Sequence, residues 1–196
     1  MILNYFNKIP NIDAGAFIFK SATVIGEVAI GKDSSIWFGT VVRGDVNKIV
    51  IGERTNIQDN STIHVTTNLF PTIIGNEVTI GHNAVIHGSV IEDRVLIGMG
   101  AVLLDGCHIK KNSIIAAQSV LRGGTEVPEG VLIAGNPAKV KRELSYQEIE
   151  QLGQSAENYV RYSHNYLTSS QYSIYSTDEI KSVIDKLRDC VLGSMQ

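Results

Sequence analysis

Residues 91–133 read IEDRVLIGMGAVLLDGCHIKKNSIIAAQSVLRGGTEVPEGVLI, and one interval runs through them. Ile91, Ile97, Leu103, Ile109, Ile115, Leu121, Val127 and Ile133 follow one another at steps of six. Upstream, Ile18, Val24, Ile30, Ile36 and Val42 keep the same step, as do Ile51, Ile57, Ile63 and then Ile74, Ile80, Ile86. A period of six fits neither a helix stripe nor simple strand alternation. It describes a coil with three flat sides of about one hexad each, so that ~18 residues complete a turn. One aliphatic side chain per side points inward and stacks on its copies above and below. Backbone hydrogen bonds then run between coils as in a parallel sheet. Glycine often comes next, as in Ile25-Gly26, Ile30-Gly31, Ile51-Gly52 and Ile97-Gly98, which reads as φ-permissive residues at tight corners.

The interval breaks in three places. It is nine from Val42 to Ile51, eleven from Ile63 to Ile74 and five from Ile86 to Ile91. In the second break, Thr66–Pro71 reads as a loop pushed out of the coil. Interruptions of a solenoid commonly mark its functional face. Past Ile133 the pattern stops, and Gly135-Asn136-Pro137-Ala138 reads as the closing turn. Ser145 and Glu148 form a capping box ahead of a helix from about Tyr146 to Tyr166. Residues 168–176 are turn-like. Ser176 and Glu179 then open a second helix, with Ile180, Val183, Ile184, Leu187 and Val191 on one face and Gly193 as its stop. The reading is a mainly β protein: a parallel β-helix over residues 1–140, with an appendage of C-terminal α-helices packed outside it over 141–196. The partner of the second helix's apolar face is left open.

Composition narrows the function classes. A hydrophobic share of 43% with 19% charged residues belongs to a folded chain rather than a disordered one. A net charge of −3 gives no bulk attraction to nucleic acid. No apolar run approaches the ~20 residues that span a bilayer. Met1-Ile2-Leu3-Asn4-Tyr5 lacks the basic start of a secretory signal. Cys107 and Cys190 make no disulfide framework, so a reducing cytoplasm is expected.

Of the five histidines, His64 and His87 each follow an inward isoleucine and share one phase of the repeat. They should project outward along one corner. His82 stands two residues past Ile80, at another phase. Two in-phase imidazoles and one out of phase do not close a tetrahedral site within one chain, but a neighbouring chain could supply the third. Three neutral imidazoles with a fourth position open describe a catalytic zinc site. An outward histidine is otherwise a solvated or hydrogen-bonded surface group, and that is the reading kept for His108 and His164.

Taken together, Val42-Arg43-Gly44-Asp45, Thr55-Asn56-Ile57-Gln58-Asp59, Ile63-His64-Val65 and Gly81-His82-Asn83-Ala84-Val85-Ile86-His87-Gly88 make the chain resemble the gamma-class carbonic anhydrases. The likeness covers roughly Ile18 to Leu167. It implies a left-handed β-helix and a homotrimer with metal sites at its subunit interfaces. His64 and His87 of one subunit and His82 of the next would bind Zn2+, with Fe2+ or Co2+ as alternatives. Arg43, Asp45 and Asp59 would form the interfacial ion-pair network. Gln58 would hydrogen-bond the bound water or bicarbonate, and Tyr159 would approach the site from the C-terminal helix. The implied reaction is attack of a metal hydroxide on CO2 to give bicarbonate. Active members carry proton-shuttle acids after the Arg-x-Asp motif and in the loop near the first histidine. Here Val46 follows Asp45 and Thr66–Pro71 holds no acid, so slow turnover is expected.

Three other functions compete. A hexapeptide acyltransferase needs one histidine base and a cleft between coils, not three histidines beside an Arg-Gly-Asp network. A thioesterase could turn the same hydroxide on a thioester carbonyl. A trimeric metal-binding protein without catalysis would use the ligands alone.

Overall fold

In a computed structural model that describes residues 1–169 and 174–193, the hexads wind into a three-sided parallel β-helix. On the first face Thr23–Ile25, Val41–Arg43, Thr62–His64, Val85–His87, Val102–Leu103 and Val120–Leu121 stack in parallel register. On the second, Val28–Ile30, Ile49–Ile51, Thr72–Ile74, Val90–Ile91, His108–Ile109 and Glu126–Val127 do the same. The third face runs from Phe17–Ile18 up to Val131–Gly135, where Ala138–Glu143 folds back antiparallel and ends the stack. That last strand extends three residues beyond 140.

The six-residue register holds in the core. All eight aliphatic residues from Ile91 to Ile133 are at most 2% exposed. Each is pressed between its equivalents one coil away, as the pairs Ile86↔Leu103 and Ile97↔Ile115 show. Burying a side chain of this kind is worth about 1.5–3 kcal/mol, repeated at every rung.

Gly26, with φ 79°, takes the left-handed conformation expected at a corner, but Gly31, Gly52 and Gly98 serve a different purpose from the one their positions suggested. A Cβ on Gly31 would lie 2.6 Å from the carbonyl oxygen of Gly52, and one on Gly98 would lie 2.4 Å from the amide of Ala117. Those glycines permit close approach of successive coils. Gly26 follows Ile25, which faces outward, because Val24 is the inward residue. The left-handed corners are carried mostly by larger residues: Asp33, Arg54, Glu77, Arg94 and Asn112 have φ between 53° and 59°.

Helix α1 spans Tyr146–Ser169, three residues longer than the spacing predicted. Both halves of its capping box form: the Glu148 amide donates to Ser145 Oγ and the Ser145 amide donates to Glu148 Oε2. It lies along the third face, with Leu152 and Ala156 buried and Tyr159 set edge-on to Trp37 at 5.5 Å. Helix α2, Thr177–Gly193, opens on the second capping box, Ser176 with Glu179. Its Ile180 and Ile184 join the solenoid core beside Ile2, Ile12 and Ala16, so the apolar face covers the N-terminal end of the coil. Of the turn read at 168–176, residues 168 and 169 are helical, and 170–173 lie outside the described residues. Among the described residues no helix is long and apolar enough to cross a membrane.

Candidate metal centre

His64 and His87 come together as their shared phase required. They are paired residues on adjacent strands of the first face, each next to a fully buried isoleucine. Their rings stand with His64 Nδ1 and His87 Nε2 3.1 Å apart. The other nitrogen of each ring is held by a carboxylate. His64 Nε2 lies 3.0 Å from Asp45 Oδ1, and His87 Nδ1 lies 2.6 Å from Asp105 Oδ1. Asp45 also takes a hydrogen bond from Arg43 and one from the Val46 amide. Asp105 accepts from Thr66 Oγ1 at 2.8 Å.

These contacts fix the tautomers of neutral rings. A carboxylate accepts, so His64 donates from Nε2 and His87 donates from Nδ1. Both unprotonated nitrogens then face the same point. Two nitrogens at 2.0–2.1 Å from a tetrahedral metal would be ~3.3–3.4 Å apart, close to the spacing seen. The donor set therefore fits a divalent ion, and the two carboxylates stand where outer partners of ligating histidines stand.

Burial pushes the Asp45 carboxyl up, but the hydrogen bonds from His64 and Arg43 and the guanidinium charge outweigh it and hold the group below its usual range. Burial likewise raises Asp105, and hydrogen bonds from His87 and Thr66 more than compensate. Both groups stay anionic acceptors.

His82 belongs to a different corner, as its phase implied. It stands just before Asn83, a left-handed residue with φ 58°. Asp59 holds the equivalent place one coil earlier, before Asn60, and Met99 the place one coil later, before Gly100. Stacking of equivalent corners puts Asp59 Oδ2 2.6 Å from His82 Nδ1. Gln58 and Tyr159 line the same cavity as His82, between the third face and α1. Gln58 Nε2 donates to Asn56 Oδ1 at 3.1 Å, Asn56 donates to Thr79, and Thr79 meets Ser155 of α1 at 3.1 Å. Burial raises the Tyr159 phenol, and the charge of Asp59 adds to it, so the hydroxyl remains a donor.

The site residues thus fall into two groups. Arg43, Asp45, His64 and His87 meet at one corner; Gln58, Asp59, His82 and Tyr159 meet at another. Asp59 braces His82, while Arg43 is bound to Asp45. No three metal-binding side chains converge within one chain among the described residues. His108 hydrogen-bonds Glu92 at 2.7 Å on the second face, and His164 packs edge-on to Phe17, both away from these corners.

Asp105 escaped the sequence reading, although a partial signal was present. It lies 18 residues past His87, but the five-residue step shortens this coil to 17, as the pair Ile86↔Leu103 shows, so plain stacking points to Leu104 and Asp105 reaches the ring from one position further on.

Comparison with known proteins gives the chain's relatives. Residues 88–123 match the family described as bacterial transferase hexapeptide (six repeats). Over 164 residues the chain is 50% identical to gamma carbonic anhydrase 2, mitochondrial, of Arabidopsis thaliana, covering 81% of this chain and 59% of that one. It thus spans less than two thirds of the plant protein's length. It is 41% identical over 179 residues to the carbonic anhydrase of Geobacillus kaustophilus, covering 91% of this chain and 98% of that one. Among solved structures, a hexapeptide transferase family protein from Anaplasma phagocytophilum matches with a TM-score of 0.82 and 44% identity, covering 85% of this chain and 98% of that one. The two corners, the repeat and these identities lead to one conclusion: the chain belongs to the gamma-class carbonic anhydrase family of hexapeptide-repeat proteins.

Proposed function

We propose that the chain acts as a metal-dependent carbonic anhydrase, a cytoplasmic homotrimer that hydrates CO2 to bicarbonate at three sites between subunits. His64 and His87 of one subunit and His82 of the partner subunit hold the ion, zinc in the first place, with iron or cobalt as alternatives. One observation carries this reading. Each of the three imidazoles has one nitrogen occupied by an aspartate, and they are divided two and one between corners of the same solenoid. A ring of identical subunits reunites such halves at every interface.

Bound there, a divalent ion supplies Lewis acidity and a water acidified toward a pKa of ~7. Asp45, Asp105 and Asp59 keep the imidazoles oriented as neutral donors. The chain Gln58–Asn56–Thr79–Ser155 fixes the Gln58 amide, so that it presents one orientation to water and bicarbonate. Tyr159 offers a neutral phenol at the same cavity. Arg43 neutralises Asp45 and keeps the interface corner from carrying bare negative charge. Proton export is the weak element, because Val46 and the loop tip supply no titrating group.

The test is metal content of the purified trimer combined with stopped-flow CO2 hydration. About one ion per subunit with hydration above the uncatalysed rate is expected. Acyl transfer is the second reading, favoured by the transferase name of the Anaplasma neighbour. Turnover of an acyl-coenzyme A by metal-free protein would support it against the first.

A further inference from the structure

The cavity beside His82 has a volume of about 220 Å3 and is lined by Gln58, Leu96, Met99, Ser155 and Tyr159 with the histidine itself. It is mostly apolar, and Met99 on its rim is 59% exposed. Liquid water occupies ~30 Å3 per molecule, so this space far exceeds what a triatomic substrate needs.

At the other corner, the loop after His64 ends in an apolar tip. Thr66 and Phe70 close it with an antiparallel bridge, the Leu69 amide donates to the Thr66 carbonyl, and Asn68 turns through φ 54°. Phe70 folds back over Gly88 and Gly106, where a Cβ would meet it at 2.7 and 3.1 Å. Leu69 is left pointing outward, 70% exposed, on a tip that bears no charge. The loop is tied to the histidine pair: it starts two residues past His64, and Thr66 bonds the same Asp105 that braces His87.

These two features sit next to the two halves of the divided site. A packing that brings His82 of one chain to His64 and His87 of another brings the corner bearing the loop and the corner bearing the cavity to the same junction. We propose that Leu69 enters the cavity of the partner subunit and packs against its Met99, forming the apolar wall of the shared site. This inference rests on the shared-site reading above. It makes the loop a contributor to the neighbour's site, narrows the space beside the metal and excludes bulk water from it.

The experiment is site-directed disulfide trapping. In a Cys190→Ser background, Leu69→Cys and Met99→Cys are combined and the protein is oxidised with diamide. Both positions are exposed in the single chain, so the changes spare the core. A disulfide requires Cα atoms within ~7 Å, which makes the test strict. Covalent dimer and trimer bands on a non-reducing denaturing gel are expected from the double variant and not from either single one. A trimer in sedimentation that gives no intersubunit bands, or only an intrachain disulfide, overturns the placement of Leu69 and leaves the shared site standing. A monomer in sedimentation overturns both.

Discussion

From Ile91 to Ile133 the chain turns an aliphatic side chain inward every six residues without interruption, and its outer surface holds ordinary polar groups such as His108 on Glu92. From Val42 to Ile91 the same core stack continues, yet the interval changes three times, and every candidate ligand lies there. All three changes fall at one corner, between the first and second faces. The nine-residue step carries the strand Val41–Ile51 round the corner with Asp45 on it. The eleven-residue step extrudes the loop 66–71. The five-residue step tightens the same corner at Gly88, with φ 54°. The inward residues tolerate none of this variation, because they must stack; the corner does, because only backbone and solvent constrain it. Regular coils provide rigidity; the irregular corner adds the histidine pair with its aspartates, while His82 stands at a corner whose register is undisturbed.

That division can be broken from either side. The largest effect is expected in the regular coils. Ile115→Ala removes a fully buried side chain and should cost about 2–5 kcal/mol in denaturant unfolding, with the histidine corner unchanged in the remaining folded protein. Asp105→Asn should do the reverse. The carboxylate that orients His87 is lost, metal affinity in a chelator competition should fall about 10- to 100-fold, and the unfolding midpoint of the metal-free protein should hold. A smaller gain is expected from Val46→Glu, which places an acid beside the irregular corner. CO2 hydration should rise a few-fold if proton export limits it. An unchanged rate would assign the limit elsewhere.

The smallest effect concerns the helix that carries Tyr159. Hydrogen bonds from Arg142 and from the Ser145 amide lower the Glu148 carboxyl from 4.5 to about 2. Its folded value lies below its unfolded value, so its contribution is complete above pH 4.5 and disappears as pH falls toward about 2. Helical circular dichroism should show fraying of α1 in that window, and Glu148→Gln should remove the dependence.

Much of this was legible in the residues. The six-residue interval named the core, and the phase difference between His82 and the pair His64 and His87 foretold that they would occupy different corners. Capping boxes located both helix starts to the residue, because a cap is a local signal. Three features depended on distance in space. Asp105 reaches His87 from one position past its stacking neighbour, which the coil length alone does not name. The glycines after inward residues needed the neighbouring coil, whose backbone excludes a Cβ at Gly31 and Gly98. The α2 face found its partner at the open end of the solenoid, where Ile2 and Ile12 await cover, and an apolar stripe in sequence does not name what it packs on.

The direct test of the divided site is to separate its halves genetically and mix them. A His64→Ala, His87→Ala double variant keeps only the single-histidine half; His82→Ala keeps only the pair. Neither should bind metal alone. Refolded together in equal amounts, they should regain about a quarter of the wild-type metal content, because in a ring of heterologous interfaces one junction in four joins an intact pair to an intact His82. Mixed trimers that recover no metal would contradict a site shared between subunits.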